Sequence, residues 1–216
     1  MKTILVLGAT GRTGRLVCKH RPDNATVYAG LRQASYVEGQ RSLPDGADAP
    51  RVVDIDDHTS LSTALEGVDV VVNAIRLRED IATSALVELH QSIVAARDTS
   101  RALSIVHVGG AGALHMDDGR RFWETPGFPA ITLPRGIGHA RLRDYLEQHE
   151  QPCQWVYLIP PPQYVPDGPY QGRYSRIPGG EREQTFLTDG ISYEDFAAAL
   201  VDAVREEWHG VWLIGG

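Results

Sequence analysis

Cysteine and lysine are both scarce in this chain of 216 residues: each occurs twice, as Cys18 and Cys153 and as Lys2 and Lys19. Two cysteines build neither a disulfide framework nor a closed metal site, so both thiols are expected to pack as small hydrophobes in a reduced compartment. With no lysine after position 19, no Tyr-x-x-x-Lys exists. In that arrangement a lysine four residues on lowers the pKa of a tyrosine that protonates a carbonyl, so conventional carbonyl reduction loses its usual acid. Gly-x-Ser-x-Gly is absent too, which leaves a nucleophilic serine unsupported. His90 and His115 have no ligand spacing with a cysteine or carboxylate, and no metal is expected. No apolar run approaches the ~20 residues that span a bilayer. The first run, Ile4–Leu7, is too short for a signal-peptide core and is broken at once by Gly8. A net charge of −7 argues against a nucleic-acid footprint, which needs clustered Lys and Arg. The expectation is a soluble, cytoplasmic monomer or homodimer whose partner is a small molecule, with neither nucleic acid nor membrane involved.

What is present is an ordinary globular composition, 42% hydrophobic and 23% charged, at a length that fits a single domain over residues 1–216. Apolar runs alternate with helical patterns. Ile4–Leu7 reads as a strand, Arg15–His20 as a helix stopped near Pro22, Ala25–Leu31 as a second strand, and Val52–Asp54 as a third. His58–Leu65 reads as a helix, Val68–Asn73 as a buried strand, Glu79–Arg97 as a long amphipathic helix, and Leu103–Val108 as another buried strand. Residues Gly109–Pro134, with five glycines and three prolines, form a long connection before a helix at Arg135–Glu150. A strand at Trp155–Ile159, a helix at Glu194–Glu206 and a strand at Val211–Ile214 complete the pattern. Strands apolar on both faces, alternating with helices, predict a doubly wound parallel sheet of Rossmann type with helices on both faces and a small C-terminal loop region.

Between the first strand and first helix lies Gly8-Ala9-Thr10-Gly11-Arg12-Thr13-Gly14. A dinucleotide pyrophosphate needs a helix N-terminus aimed at it, and glycines where the backbone turns and where a side chain would block the phosphates. A glycine triplet alone is weak, but its place after a buried strand and at the head of a helix is the context that gives it meaning. At the end of the second strand, where NAD-selective sites carry an acid for the ribose hydroxyl, stands Arg32. No Asp or Glu lies between Ala25 and Val37, so the 2′-phosphate of NADP would meet Arg32, helped by Arg12, unless Arg32 is only a solvated surface charge.

Taken together with Val108-Gly109-Gly110-Ala111-Gly112, Thr125-Pro126-Gly127-Phe128-Pro129, Ile159-Pro160-Pro161 and Ile191-Ser192-Tyr193-Glu194-Asp195-Phe196-Ala197, this chain resembles the atypical short-chain dehydrogenase/reductase group. It is most similar to the NAD(P)H-binding branch that includes NADH-flavin reductase-like, biliverdin reductase B-like and NmrA-like proteins. The resemblance spans nearly the whole chain. It implies that the cofactor lies along the strand ends, with Asp54 and Ile55 at the adenine, Asn73, Ala74 and Ile75 at the central ribose and phosphates, and Gly109, Gly110, Pro160 and Pro161 on the nicotinamide side. One departure stands out: where the branch carries a Tyr-Lys pair after its Phe-Pro dipeptide, this chain has Thr132-Leu133.

Without that pair, hydride transfer to a flavin, quinone or similar conjugated ring makes weaker demands, because the ring is the electron sink and solvent supplies the proton. The rings of Phe122, Trp123, Tyr164, Tyr170 and Tyr174 either wall such an acceptor or pack the loops onto the domain. His139, where the resemblance also has His-Ala, is the candidate proton donor or substrate ligand; its other reading is a histidine packed between helix and sheet, and His107, inside a strand, reads as core. Two functions stay open: an NADPH-dependent reductase, and a non-catalytic NADP-binding sensor of the NmrA-like kind.

Overall fold

The computed structural model describes residues 1–33, 43–76, 82–180 and 183–216. Ten strands are described: β1 (Lys2–Leu7), β2 (Ala25–Leu31), β3 (Ala49–Val52), β4 (Val70–Asn73), β5 (Ser104–Val108), β6 (Gln154–Ile159), β7 (Gln163–Val165), β8 (Ser175–Pro178), β9 (Gly190–Ser192) and β10 (Gly210–Gly215). Among the described residues five α-helices join them: α1 (Arg12–Lys19), α2 (His58–Leu65), α3 (Ala85–Ala96), α4 (Leu133–Gln148) and α5 (Tyr193–Arg205). The large sheet has the order β3-β2-β1-β4-β5-β6-β10-β8. The chain leaves β1 toward β3, then returns to the other side of β1 with β4, and that reversal opens a crevice at the carboxyl ends of the strands.

Alternation along each strand divides the core. Ile4, Val6, Val72, Val106 and Leu158 turn to the face covered by α1 and α5. Leu5, Leu7, Val71 and Ile105 turn to the face covered by α2 and α3, and Tyr157 and Ile159 continue that face under α4. Burial on both faces is why these strands read as continuous apolar runs. Cys18 is sealed in the first cluster, where burial pushes its thiol up to about 11, and among the described residues no helix is long and apolar enough to cross a membrane.

The Rossmann-type sheet stands as expected, with differences in detail. The third strand is Ala49–Val52 rather than Val52–Asp54. Pro50 disguises it, yet β3 is an edge strand, the one place where a missing N–H costs no ladder bond. The sheet is not wholly parallel, because β8 runs antiparallel against β10 at the far edge. The small strands β7 and β9 pair with each other apart from the main sheet, and the sequence pattern marked neither of them. Of the helix expected over Glu79–Arg97, residues 79–81 lie outside the described residues and the helix runs Ala85–Ala96.

Candidate functional site

The glycine motif occupies the crevice mouth. Gly8 turns the chain in the left-handed region at φ 76°, and the Gly11 N–H donates to the Gly8 carbonyl at 2.8 Å. A Cβ on Gly8 would lie 2.6 Å from the Ala74 carbonyl, so the turn after β4 presses directly on the motif. A Cβ on Gly14 would meet the Gly8 carbonyl at 2.3 Å and Ala9 Cα at 2.9 Å, which makes this glycine a packing requirement between helix and strand. Gly11 differs. Its φ of −75° and ψ of 170° suit any residue, and a Cβ there would meet only the Gly8 carbonyl, at 3.1 Å. The first turn of α1 has Gly11 as N-cap, with no side chain capping it and no acid nearby. An uncapped helix N-terminus behind an open cradle fits a phosphate. Thr10 is half-buried in this turn, and Thr13 shares a 2.9 Å hydrogen bond between its hydroxyl and that of Tyr164.

Arg12 begins α1, the helix after β1, and Arg32 follows the last residue of β2, the strand that pairs with β1; both are exposed. Asp54 is exposed and Ile55 half-buried against the second core face, with the Asp54 N–H donating to Ser60 Oγ at 2.9 Å. Arg76 lies exposed just past the Asn73-Ala74-Ile75 turn, three residues beyond the end of β4.

Asn73 is buried and held at both ends of its amide. Its Oδ1 accepts the Ile75 N–H at 3.2 Å, and its Nδ2 lies 3.3 Å from His107 Nδ1. The chain continues from His107 Nε2 to His90 Nδ1 at 3.1 Å, and from His90 Nε2 to Gln151 Oε1 at 3.0 Å. An amide oxygen only accepts, so His90 carries its proton on Nε2, and by the same logic so does His107. Both rings stay neutral: burial lowers each, and for His107 the neighbouring His90 and His139 add to it. The reading of His107 as core is correct, yet its function in the fold is to fix the orientation of Asn73.

At the exits of β5 and β6, a Cβ on Gly109 would lie 2.5 Å from the Leu158 carbonyl, and one on Gly110 would strike the His139 ring at 2.6 Å. Pro160 and Pro161 are buried at the exit of β6. His139 is partly exposed as a residue although its ring is enclosed; burial first, then the charge of Arg135, hold its pKa at about 4. His139 Nδ1 lies 3.1 Å from the Tyr157 hydroxyl, which donates to the His139 carbonyl at 3.0 Å. Burial pushes the Tyr157 phenol far up. An imidazole so held is neutral at physiological pH and is no reservoir of protons.

The five rings do not form one wall. Tyr164 packs edge-on to Tyr193 and Phe196, Tyr170 sits on His20, and Tyr174 bonds Asp202 at 2.6 Å and lies beside Trp208. Only Phe122 and Trp123 remain by the N-terminus of α4, where Phe122 meets Phe128 and where a Cβ on Gly136 would collide with Phe128 and Trp123. Three of the rings therefore serve to pack loops. The loop from Gly109 is anchored instead by charge. Arg143 and Glu183, both buried, pair through 2.8 and 2.7 Å contacts, and Glu183 also accepts the N–H of Gly180 and of His115. Arg143 and Arg121 both donate to the Ala113 carbonyl, and Arg121 reaches Asp144.

A strand-order switch, a glycine turn of this geometry and an uncapped helix N-terminus define a dinucleotide-binding protein of Rossmann type. Residues 8–207 match the NAD(P)H-binding family model, and the chain belongs to that family. It is similar to YwnB of Bacillus subtilis, an uncharacterized protein, at 26% identity over 207 residues, covering 94% of this chain and 92% of that one. Among solved structures it is similar to SP1627 of Streptococcus pneumoniae, named a putative NADH-flavin reductase, with TM-score 0.78, 23% identity and coverage of 100% and 99%. It is also similar to the oxidoreductase ylbE of Lactococcus lactis, with TM-score 0.74, 18% identity and coverage of 99% and 91%. At these identities the two structures speak for the fold alone.

Proposed function

We propose that the chain is an NADPH-dependent oxidoreductase that reduces a small conjugated acceptor, of the flavin or quinone class, in the crevice beside Gly110. The cofactor half of this reading rests on Gly11, a glycine that neither its backbone angles nor its protein neighbours require. Gly8, Thr10, Gly11, Thr13 and Gly14 would hold the pyrophosphate against the start of α1. Arg32 and Arg12 would meet a 2′-phosphate, Asp54 and Ile55 the adenine, and Asn73, Ala74 and Ile75 the central ribose. Gly109, Gly110, Pro160 and Pro161 would border the nicotinamide. When bound, reduced nicotinamide supplies a hydride.

The acceptor half rests on the state of His139. With Tyr157 committed to His139 and His139 neutral, the residues here orient and exclude water but hold no proton ready to give. An acceptor whose ring takes up the electron pair, with solvent supplying the proton, suits such a site. Steady-state oxidation of NADPH with FMN, a quinone and a simple aldehyde tests it. Turnover with the first two and little with the third is expected, and NADP(H) should bind at least ~10-fold more tightly than NAD(H), since a charge-assisted contact to phosphate is worth about 1.5–3 kcal/mol. Arg32→Ala should erase that preference. Tight NADPH binding with no turnover on any acceptor would point instead to a cofactor-sensing protein.

A further inference from the structure

The side chains linking Gln151, His90, His107 and Asn73 have a polarity that is forced from both ends. At one end the Ile75 N–H donates to Asn73 Oδ1 at 3.2 Å, so the amide presents Nδ2, a donor, to His107 Nδ1 at 3.3 Å. At the other, Gln151 Nε2 donates to the His149 carbonyl at 2.9 Å, so Gln151 presents Oε1, an acceptor, to His90 Nε2 at 3.0 Å. Burial keeps both rings neutral. The link between them, 3.1 Å from His107 Nε2 to His90 Nδ1, then closes only with the hydrogen on His107 Nε2. Each ring accepts at Nδ1 and donates at Nε2, and all four nitrogens are committed. The chain ends on the glycine motif: the Ala74 N–H donates to the Leu7 carbonyl at 3.0 Å, and a Cβ on Gly8 would lie 2.6 Å from the Ala74 carbonyl and 3.0 Å from the Ile75 nitrogen. The turn after β4 and the glycine turn thus pack backbone on backbone.

We infer that His107 is a positioning residue for the nucleotide site, with His90 and Gln151 acting through it: together they lock the turn after β4 against Gly8 and so set how tightly the cofactor pyrophosphate is held. The inference rests on the crevice being the nucleotide site proposed above. Without an acceptor at position 107 the Asn73 amide is free to rotate, and its Nδ2 would then oppose the Ile75 N–H, donor against donor. The turn has to yield, and because the Ala74 carbonyl abuts Gly8, the glycine motif moves with it. Such a device acts on nucleotide affinity rather than on the hydride step. It also reaches the site from afar, since His90 lies on α3 and Gln151 beyond the end of α4.

Two measurements on the whole chain test this. Long-range proton–nitrogen NMR at neutral pH, with His90→Leu and His107→Leu to identify the signals, should show both histidines in the neutral Nε2–H form; an Nδ1–H form or an imidazolium at either would overturn the inference. Calorimetric titration with NADPH should then show affinity weakened about three- to tenfold in His107→Leu. His107→Asn, which keeps an acceptor for Asn73, should recover part of that loss, and His90→Leu, one link further back, should show a smaller loss in the same direction. In steady-state kinetics the loss should fall on KM for NADPH with kcat kept. Unchanged NADPH affinity in a His107→Leu variant that melts like wild type would overturn this inference alone, and a loss in His107→Leu with none in His90→Leu would overturn the part given to His90 and Gln151. Should His107→Leu fail to fold, the tautomer signals and His90→Leu decide. Wild type that binds neither NADPH nor NADH would overturn the proposed function together with the role named here.

Discussion

Gly11 and Gly14 stand one helical turn apart, and their α-hydrogens face different constraints. A methyl on Gly14 runs into backbone atoms of Gly8 and Ala9, none of which can rotate away, while one on Gly11 has a single close neighbour, the Gly8 carbonyl at 3.1 Å. Gly14→Ala is therefore expected to cost at least about 1–3 kcal/mol of stability through overpacking. Gly11→Val should cost about 0.5–2 kcal/mol, because valine is a poor N-cap residue and its Cβ would press on the Gly8 carbonyl, but it should leave a folded protein that loses NADPH binding. Chemical denaturation and calorimetric titration of the two variants check this. A Gly11→Val protein that binds normally would reduce the motif to a turn. The glycines were legible in the sequence, but their division of labour was not, because the spacing is silent on which contacts are backbone and which are empty space.

At the scale of elements, the long loops are held by ions rather than by the aromatic residues that draw the eye. Arg143 on α4 and Glu183 in the 183–188 turn have side chains exposed by only 1% and 2%. Burial alone would raise the Glu183 carboxyl, but the two contacts from Arg143 and the N–H donors of His115 and Gly180 outweigh it and hold the group below its ordinary value of 4.5. A carboxylate with a folded pKa below its unfolded one stabilises the protein above the unfolded value and loses that contribution as the pH falls through the folded one. Urea melts should therefore show this share of stability intact above about pH 4.5 and fading below it. Glu183→Gln should cost about 3–5 kcal/mol at neutral pH by stranding the Arg143 charge, and it should flatten the acid limb. A loss no larger than that of a surface substitution would show that water reaches the pair. In the sequence Arg143 is one charge within the helical pattern at Arg135–Glu150 and Glu183 falls outside every pattern, since nothing local joins residues forty apart. Elements whose identity is local were legible instead: Ala25–Leu31 and His58–Leu65 have the bounds their patterns predicted. Short β7, β8 and β9 depend on distant partners and left no periodic trace.

Across the whole molecule, the candidate site draws on the exits of β1, β2, β4, β5 and β6, so a ligand seated there would tie together strands that span most of the large sheet. Binding to the folded state alone stabilises it by about 2.7 kcal/mol at one hundred times Kd. For a chain of this size, each kcal/mol raises the melting temperature by roughly 2–4 °C. NADPH at that level should thus raise Tm by about 5–11 °C, and NADH at the same concentration, bound tenfold less tightly, by about half as much. Thermal shift with each nucleotide reads this directly. On the proposed reading the gap between the two would have its own signature, because it would come from exposed arginines on a chain whose net charge is −7. Added salt screens exposed charge over about 8–10 Å at moderate ionic strength and less at higher. Contacts made by backbone N–H groups at the start of α1 are short and largely sheltered, so raising the salt should shrink the NADPH advantage while leaving most of the shift given by NADH. An advantage that persists unchanged at high salt would place the 2′-phosphate away from Arg12 and Arg32, and equal shifts at low salt would leave the chain indifferent to that phosphate.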